Sequence, residues 1–118
     1  MVLRKTLGDN ILMTQEQHSK ALEYLLGHPH VLGVREPIIW AAREVKVYKS
    51  DGITLATDID VLYFTRERVV AAEYKTEPNL RRAEHQLILA YDMILKHMRV
   101  RPELWYVVGP KFEAVKLR

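Results

Sequence analysis

The sequence contains no cysteine among its 118 residues. A disulfide framework and a thiolate metal site are therefore both excluded. It also has no apolar run close to the ~20 residues that a membrane-spanning helix needs. Its first residues, MVLRKTLGDN, lack the apolar core of a signal peptide. We therefore expect a cytoplasmic protein that does not insert into a membrane.

Glycine and proline are also scarce, with five of each, and no stretch is rich enough in them to form a linker. There is no internal repeat, and 118 residues suffice for one core, so we predict a single domain over residues 1–118. Hydrophobic residues make up 48% and charged residues 28%, which are ordinary globular values. The formal net charge of +3 permits a polyanionic partner without requiring one.

The first predicted element is a helix in the segment TQEQHSKALEYLLGH. Thr14 is its predicted N-cap, with Gln17 as the capping-box partner. Gly27 and Pro29 are predicted to end it. One face of this helix is apolar apart from an imidazole, and it consists of His18, Ala21, Leu22, Leu25 and Leu26.

Three strands are predicted next, in the segments PIIWAAREVKVYKS, TLATDIDVLYF and RVVAAEYK. The first is predicted to break near Ala41–Ala42, and Asp51–Gly52 is a turn signal. A long helix capped by Asn79 follows, then the strand ELWYVVG and a short final strand in KFEAVKL. The order α-β-β-β-α-β, with an optional last strand, predicts an α/β fold in which helices flank a mixed central β-sheet.

The second and third strands form a predicted hairpin with acids at unexpected positions. A two-residue turn at Arg66–Glu67 would pair Thr65 with Arg68. Counting outward gives three facing pairs on one face of the sheet, namely Leu62 with Ala71, Asp60 with Glu73, and Asp58 with Lys75.

Two interpretations fit the opposed Asp60 and Glu73. Alternating charge on a strand is typical of a solvated face, in which case Asp58 and Lys75 form an ordinary cross-strand ion pair. Opposed carboxylates roughly 5 Å apart repel each other, however. A hard cation such as Mg²⁺ or Mn²⁺ between them reverses that repulsion. The apolar neighbours on both faces favour a metal site, because buried acids are costly without a partner.

The hairpin and the following helix together resemble a known signature. The letters D-I-D-V-L, followed by E-Y-K with Glu73 thirteen positions after Asp60, resemble the PD-(D/E)XK nuclease motif. The stretch QLILAY, from Gln86 to Tyr91, resembles the helix motif of the RecB-like branch. Residues 14 to 109 are most similar to NucS-type archaeal endonucleases, and archaeal Holliday-junction resolvases are similar in size. The resemblance implies a restriction-endonuclease-like core.

The resemblance also implies roles for individual residues. Asp60 and Glu73 would hold Mg²⁺ or Mn²⁺ together with the main-chain carbonyl of Tyr74. Lys75 would orient or activate the attacking water, or offset charge on the phosphate. Gln86 would project from the helix toward the same site.

One expected feature of the family is not evident in this sequence. Relatives usually add a glutamate from the first helix, and the nearby acids are Glu16 and Glu23, neither of which falls clearly on the apolar face. His18 lies at or near the inward position, where it would be either a packed side chain or a ligand.

Four arginines are predicted to contact nucleic acid. Arg66 and Arg68 flank the hairpin turn, and Arg81 and Arg82 begin the long helix. A helix N-terminus with adjacent arginines suits phosphate, although a solvated face is the alternative interpretation.

Taken with the resemblance, these features lead us to expect a Mg²⁺- or Mn²⁺-dependent DNA endonuclease. It would act on branched, mismatched or single-stranded DNA in repair or recombination, and a homodimer would let so small a domain reach both strands. One alternative is a catalytically inactive nucleic-acid-binding module on the same fold. Another is an enzyme of unrelated metal-dependent phosphate chemistry.

Overall fold

A computed structural model describes the backbone of residues 9–118 and the side chains from residue 15 onward. It has two long helices, one short 3₁₀ helix over Pro29–Leu32, and five strands. Their bounds in chain order are α1 (Asp9–Gly27), β1 (Ile38–Tyr48), β2 (Leu55–Thr65), β3 (Val69–Lys75), α2 (Leu80–Met98), β4 (Glu103–Val108) and β5 (Glu113–Lys116). The predicted order of elements is confirmed, including the short final strand.

The five strands form one mixed sheet in the order β1-β2-β3-β4-β5. Neighbours run antiparallel except β3 and β4, which are parallel. A parallel pair needs a crossover connection, and α2 provides it. The prediction of an α/β fold with a mixed sheet and helices is therefore confirmed at this level of description.

Each helix covers one side of the sheet. The face toward α1, which we call the α1 face, buries Leu22 and Leu25 of the helix against Val61, Tyr63 and other strand residues. The Tyr63 hydroxyl donates a hydrogen bond to the Leu25 carbonyl. The opposite α2 face buries its own cluster, which contains Leu62, Ala71, Leu87, Ala90, Ile94 and Leu104. The sheet is thus apolar on both sides, which makes any acid within it costly.

Two details of the predicted elements are wrong. The first helix spans Asp9–Gly27, so Thr14 lies inside it and is not its N-cap. The first strand is continuous through Ala41–Ala42. Glu44 within it has a φ of 54°, and its pairing with β2 shifts register between Ile38 and Trp40 and between Val47 and Tyr48.

Both ends of α2 follow the expected capping rules. The Asn79 side chain accepts a hydrogen bond from the Arg82 N–H, which confirms it as the N-cap. Arg99 closes the helix in a left-handed conformation. Among the described residues, no helix is long and apolar enough to cross a membrane.

Candidate metal and phosphate site

The candidate site lies where β2 and β3 separate. The predicted hairpin register is confirmed, because Leu62 pairs with Ala71 and the Thr65 N–H donates to the Arg68 carbonyl at 3.0 Å. The ladder nevertheless ends at Val61 and Ala72. The predicted pairings of Asp60 with Glu73 and of Asp58 with Lys75 are therefore not formed as ladder pairs.

An interruption in the alternation of β2 explains why the ladder ends there. Val61 packs on the α1 face, whereas Ile59 and Leu62 both pack on the α2 face. A regular strand would send Ile59 and Leu62 to opposite faces. The switch occurs at Asp60, and the register of β1 places Glu44, with its positive φ, opposite it. The side chain of Asp60 consequently turns toward the backbone of β3.

Two groups hold the carboxylate of Asp60. Its Oδ2 accepts a hydrogen bond of 2.8 Å from the Tyr74 N–H of β3. The same oxygen lies 3.3 Å from Nε2 of His18 on α1. Asp60 is only 7% exposed, so these contacts replace most of its hydration. Elements α1, β2 and β3 thus meet at one carboxylate.

The carboxylate of Glu73 is buried even more deeply and is only partly satisfied. Glu73 is 2% exposed, and its Oε2 accepts a hydrogen bond of 3.0 Å from Lys75 Nζ. Its Oε1 is buried without a hydrogen-bond partner. Burial and the negative charge of Asp60 raise the pKa of Glu73 from 4.5 to about 8, although Lys75 opposes the rise. The positive charge of Lys75 therefore does not fully offset the cost of ionising Glu73.

Lys75 connects Glu73 to α2. Its Nζ donates to Glu73 and, at 2.8 Å, to Oε1 of Gln86. The backbone of Gln86 is held in turn, because its carbonyl accepts a hydrogen bond of 3.4 Å from the Thr57 hydroxyl. Gln86 therefore points at the site, as predicted. Lys75 is bonded to Glu73 rather than to Asp58, but the negative charge of Asp58 still contributes to the raised pKa of Glu73.

These residues fit a hard divalent ion. Such ions take carboxylate and carbonyl oxygens, and Mg²⁺ commonly uses only one or two carboxylates and keeps several waters. Asp60 and Glu73 provide two buried carboxylates, and Glu73 Oε1 is a buried acceptor without a donor. Tyr74, whose carbonyl is the third predicted ligand, lies between Glu73 and Lys75 in β3. Within residues 15–118, no group of three or more His, Asp or Glu side chains is arranged to share one ion.

Where the side chains of α1 are described, from residue 15 onward, the helix presents a histidine to the site rather than an acid. Glu16 is exposed. Glu23 has a side chain that is 67% exposed and lies 3.4 Å from Arg43 Nη2, so it also points away. His18 contacts Asp60 and lies 5.9 Å, ring centre to ring centre, from Tyr74. The sequence placed His18 on the inward face but did not indicate that it touches a site carboxylate.

Arg68 has a structural role that the sequence did not reveal. Its Nε and Nη2 donate to the two carboxylate oxygens of Glu36 at 2.7 and 2.8 Å. Its Nη1 donates to Glu103, and Nη2 also donates to the Gly33 carbonyl. All three nitrogens of this guanidinium are engaged, so Arg68 has no nitrogen free for a phosphate. The prediction that Arg68 contacts phosphate is therefore wrong for this conformation.

The remaining arginines lie at two separate places. Arg66 is exposed in the hairpin turn, at the far end of β3 from Lys75. The six residue steps from Val69 to Lys75 span about 20 Å, so Arg66 is not beside the acids. Arg81 and Arg82 are exposed in the first turn of α2, and they line an open depression of about 500 Å³. Arg82 precedes Gln86 by about one helical turn.

Comparison with known proteins gives no independent assignment. No protein-family model matches the chain, and no curated protein is significantly similar to it.

Proposed function

We propose that this chain is a Mg²⁺- or Mn²⁺-dependent DNA endonuclease of the PD-(D/E)XK type that hydrolyses phosphodiester bonds. One observation carries the proposal, namely that Asp60 and Glu73 are buried beside Lys75 where β2 and β3 separate. Two neighbouring buried acids, of which only Glu73 is bonded to an ammonium, are costly for a purely structural purpose. A catalytic centre that binds a cation would give the two buried acids a function.

The residues have distinct roles in this proposal. Asp60 and Glu73 hold the ion, with the carbonyl of Tyr74 as a further ligand. When bound, the ion supplies Lewis-acid charge for the phosphate and acidifies a water nucleophile. Lys75 uses two donors on Glu73 and Gln86, and an ammonium has three. Its remaining donor is suited to the phosphate, where negative charge grows during the reaction.

DNA binding in this proposal depends on the start of α2. Arg81 and Arg82 are exposed there, about one turn from Gln86. Contacts of this kind position a backbone and carry no sequence information, so we propose recognition of branched, mismatched or single-stranded structure. Arg66 lies in the turn before β3, which itself spans about 20 Å to Lys75, so Arg66 would contact backbone about six or more base pairs away. Repair or recombination is the corresponding cellular setting.

A second candidate is a catalytically inactive nucleic-acid-binding module. The absence of an acid from the described part of α1 at this site favours it, because Glu16 and Glu23 both point elsewhere. Lys75 would then act only as an internal counterion to Glu73.

A cleavage assay distinguishes the two candidates. The native chain is incubated with branched, mismatched and single-stranded DNA, with Mg²⁺ or Mn²⁺ and with chelator. We expect metal-dependent cleavage that Asp60→Asn abolishes and that Asp92→Asn, which removes an exposed acid of α2, leaves intact. DNA binding without cleavage in either metal would contradict the nuclease and support the binding module.

A further inference from the structure

We propose that Gly109 is a positioning residue of the site, which holds the end of β3 where the backbone of Tyr74 serves both Asp60 and the ion. The proposal rests on the proposed metal site and adds to it the turn that follows β4. Gly109 is the first residue after β4, which ends at Val108. Its contribution is the space that it leaves for the ring of Tyr74.

The first argument concerns Tyr74, whose backbone has two tasks at the site. Its N–H donates a hydrogen bond of 2.8 Å to Oδ2 of Asp60, and its carbonyl is the proposed third ligand. Glu73 and Lys75 are its direct neighbours in β3. A displacement of Tyr74 would therefore move the support of the Asp60 carboxylate, the ligand carbonyl and both adjacent side chains together.

The second argument concerns the support of β3 at this point. Its ladder with β2 ends at Ala72, so residues 73–75 depend on the strand on their other side. That strand, β4, pairs with them as far as Val108 opposite Lys75. The Gly109 N–H then donates a hydrogen bond of 2.9 Å to the Lys75 carbonyl. Gly109 thus extends the support of β3 by one residue beyond the end of β4.

The third argument is steric. The φ of Gly109 is not in the left-handed region, so the backbone conformation alone does not require glycine here. A Cβ at this position would, however, lie 2.8 Å from Cζ of Tyr74 and closer still to its hydroxyl oxygen, well inside the contact distance of carbon atoms. Tyr74 is only 5% exposed and belongs to the core of the α1 face, so its ring has little room to yield. An added methyl group would displace Tyr74 or the turn, and either movement disturbs the support of β3.

The test is a Mn²⁺ titration followed by electron paramagnetic resonance, which needs no DNA and no catalysis. We expect Gly109→Ala to weaken Mn²⁺ binding by about 10–100-fold, the range typical of groups that hold metal-binding residues in place. Gly27→Ala is the matched control and should bind normally, because a Cβ at Gly27 meets nothing within 4 Å. Tyr74→Phe should bind within a few-fold of the native chain, because it loses only the hydroxyl and keeps both backbone groups.

A double variant keeps the test decisive if Gly109→Ala does not fold. Gly109→Ala/Tyr74→Phe removes the closest overlap but retains the one with Cζ. We expect it to bind Mn²⁺ more weakly than Tyr74→Phe alone. Nuclear magnetic resonance of the metal-free proteins adds a second readout, the chemical shift of the Tyr74 amide proton. That proton should move upfield in the folded Gly109→Ala variant, because a longer hydrogen bond to Asp60 deshields it less.

Each outcome bears on a different claim. Unchanged Mn²⁺ affinity in folded Gly109→Ala, or equal affinities of Tyr74→Phe and the double variant, overturns the positioning role and leaves the metal site standing. A Tyr74 amide proton that stays in place in folded Gly109→Ala also overturns it. If the native chain binds no Mn²⁺, the proposed metal site itself fails, and the role of Gly109 toward the ion fails with it.

Discussion

The ammonium of Lys75 lies 3.0 Å from the buried carboxylate of Glu73, two residues earlier in the same strand. Residues two apart in a strand share a face, so both side chains are directed to one place by β3 alone. The carboxylate keeps a second oxygen, Oε1, without a donor. This incomplete pairing is the physical basis for expecting a second cation at the site.

Glu73 should make the stability of the metal-free protein depend on pH. Its pKa is about 8 in the folded protein and about 4.5 ordinarily, so the folded state binds the proton more tightly. The free energy of unfolding should therefore fall as pH rises from about 4.5 to about 8. Glu73→Gln should flatten this decline, and Glu77→Gln, an exposed control, should not. Urea unfolding at pH 5 and pH 8 measures the free energy of unfolding of the native protein and of both variants. Parallel pH profiles in the native and Glu73→Gln proteins would contradict the expectation.

Substitution of Lys75 should affect DNA cleavage much more than DNA binding. If it stabilises charge that grows in the transition state, Lys75→Ala should slow cleavage by a factor on the order of 10² or more. DNA affinity should change little, because one lysine supplies a small part of it. Single-turnover kinetics beside a binding titration measures both quantities. Equal losses of binding and cleavage would mean that Lys75 is a simple phosphate contact.

Arg68 should contribute to stability and not to DNA binding. Its fork pairs with Glu36 and Glu103, and lysine cannot reproduce that geometry. We expect Arg68→Lys to lower Tm by about 5 °C or more and to leave DNA affinity unchanged. The matched Arg66→Lys should leave Tm unchanged, because Arg66 is exposed in the turn. Calorimetry and a binding titration test this, and a loss of DNA affinity in Arg68→Lys with no change in Tm would refute it.

Arg81 and Arg82 should account for part of the salt dependence of DNA binding. Each phosphate contact contributes about 0.9 to the slope of log affinity against log salt concentration. The double substitution Arg81→Ala/Arg82→Ala should therefore weaken binding and reduce that slope by about 2. Arg101→Ala, an exposed arginine before β4, is the control. An unchanged slope in the double variant would mean that these arginines are merely solvated.

The order of elements and the mixed sheet could be predicted from the sequence because several local signals hold in the structure. Asn79 caps α2, Gly27 ends α1, and the apolar alternation of the hairpin fixes the register of Leu62 against Ala71. Such signals depend on near neighbours in the chain, so they can be read without tertiary information.

The details of the site depended on contacts between distant segments. The register predicted Asp60 opposite Glu73, but the alternation of β2 is interrupted at Asp60. No residue type near Asp60 in the sequence indicates this interruption. Arg68 is held by Glu36 and Glu103, residues far from it in the chain. His18 was assigned to an inward face, yet only the packing of α1 on the sheet brings it to Asp60.

The account depends most directly on a divalent ion at Asp60 and Glu73. Crystals of the native chain soaked in Mn²⁺ and measured at the manganese absorption edge test this without any assumption about substrate. We predict an anomalous peak bound by both carboxylates, with Glu73 Oε1 among the ligands, and no such peak in Asp60→Asn crystals. Native crystals without a peak at these carboxylates, under conditions where the protein is folded and Glu73 is ionised, would contradict the central claim.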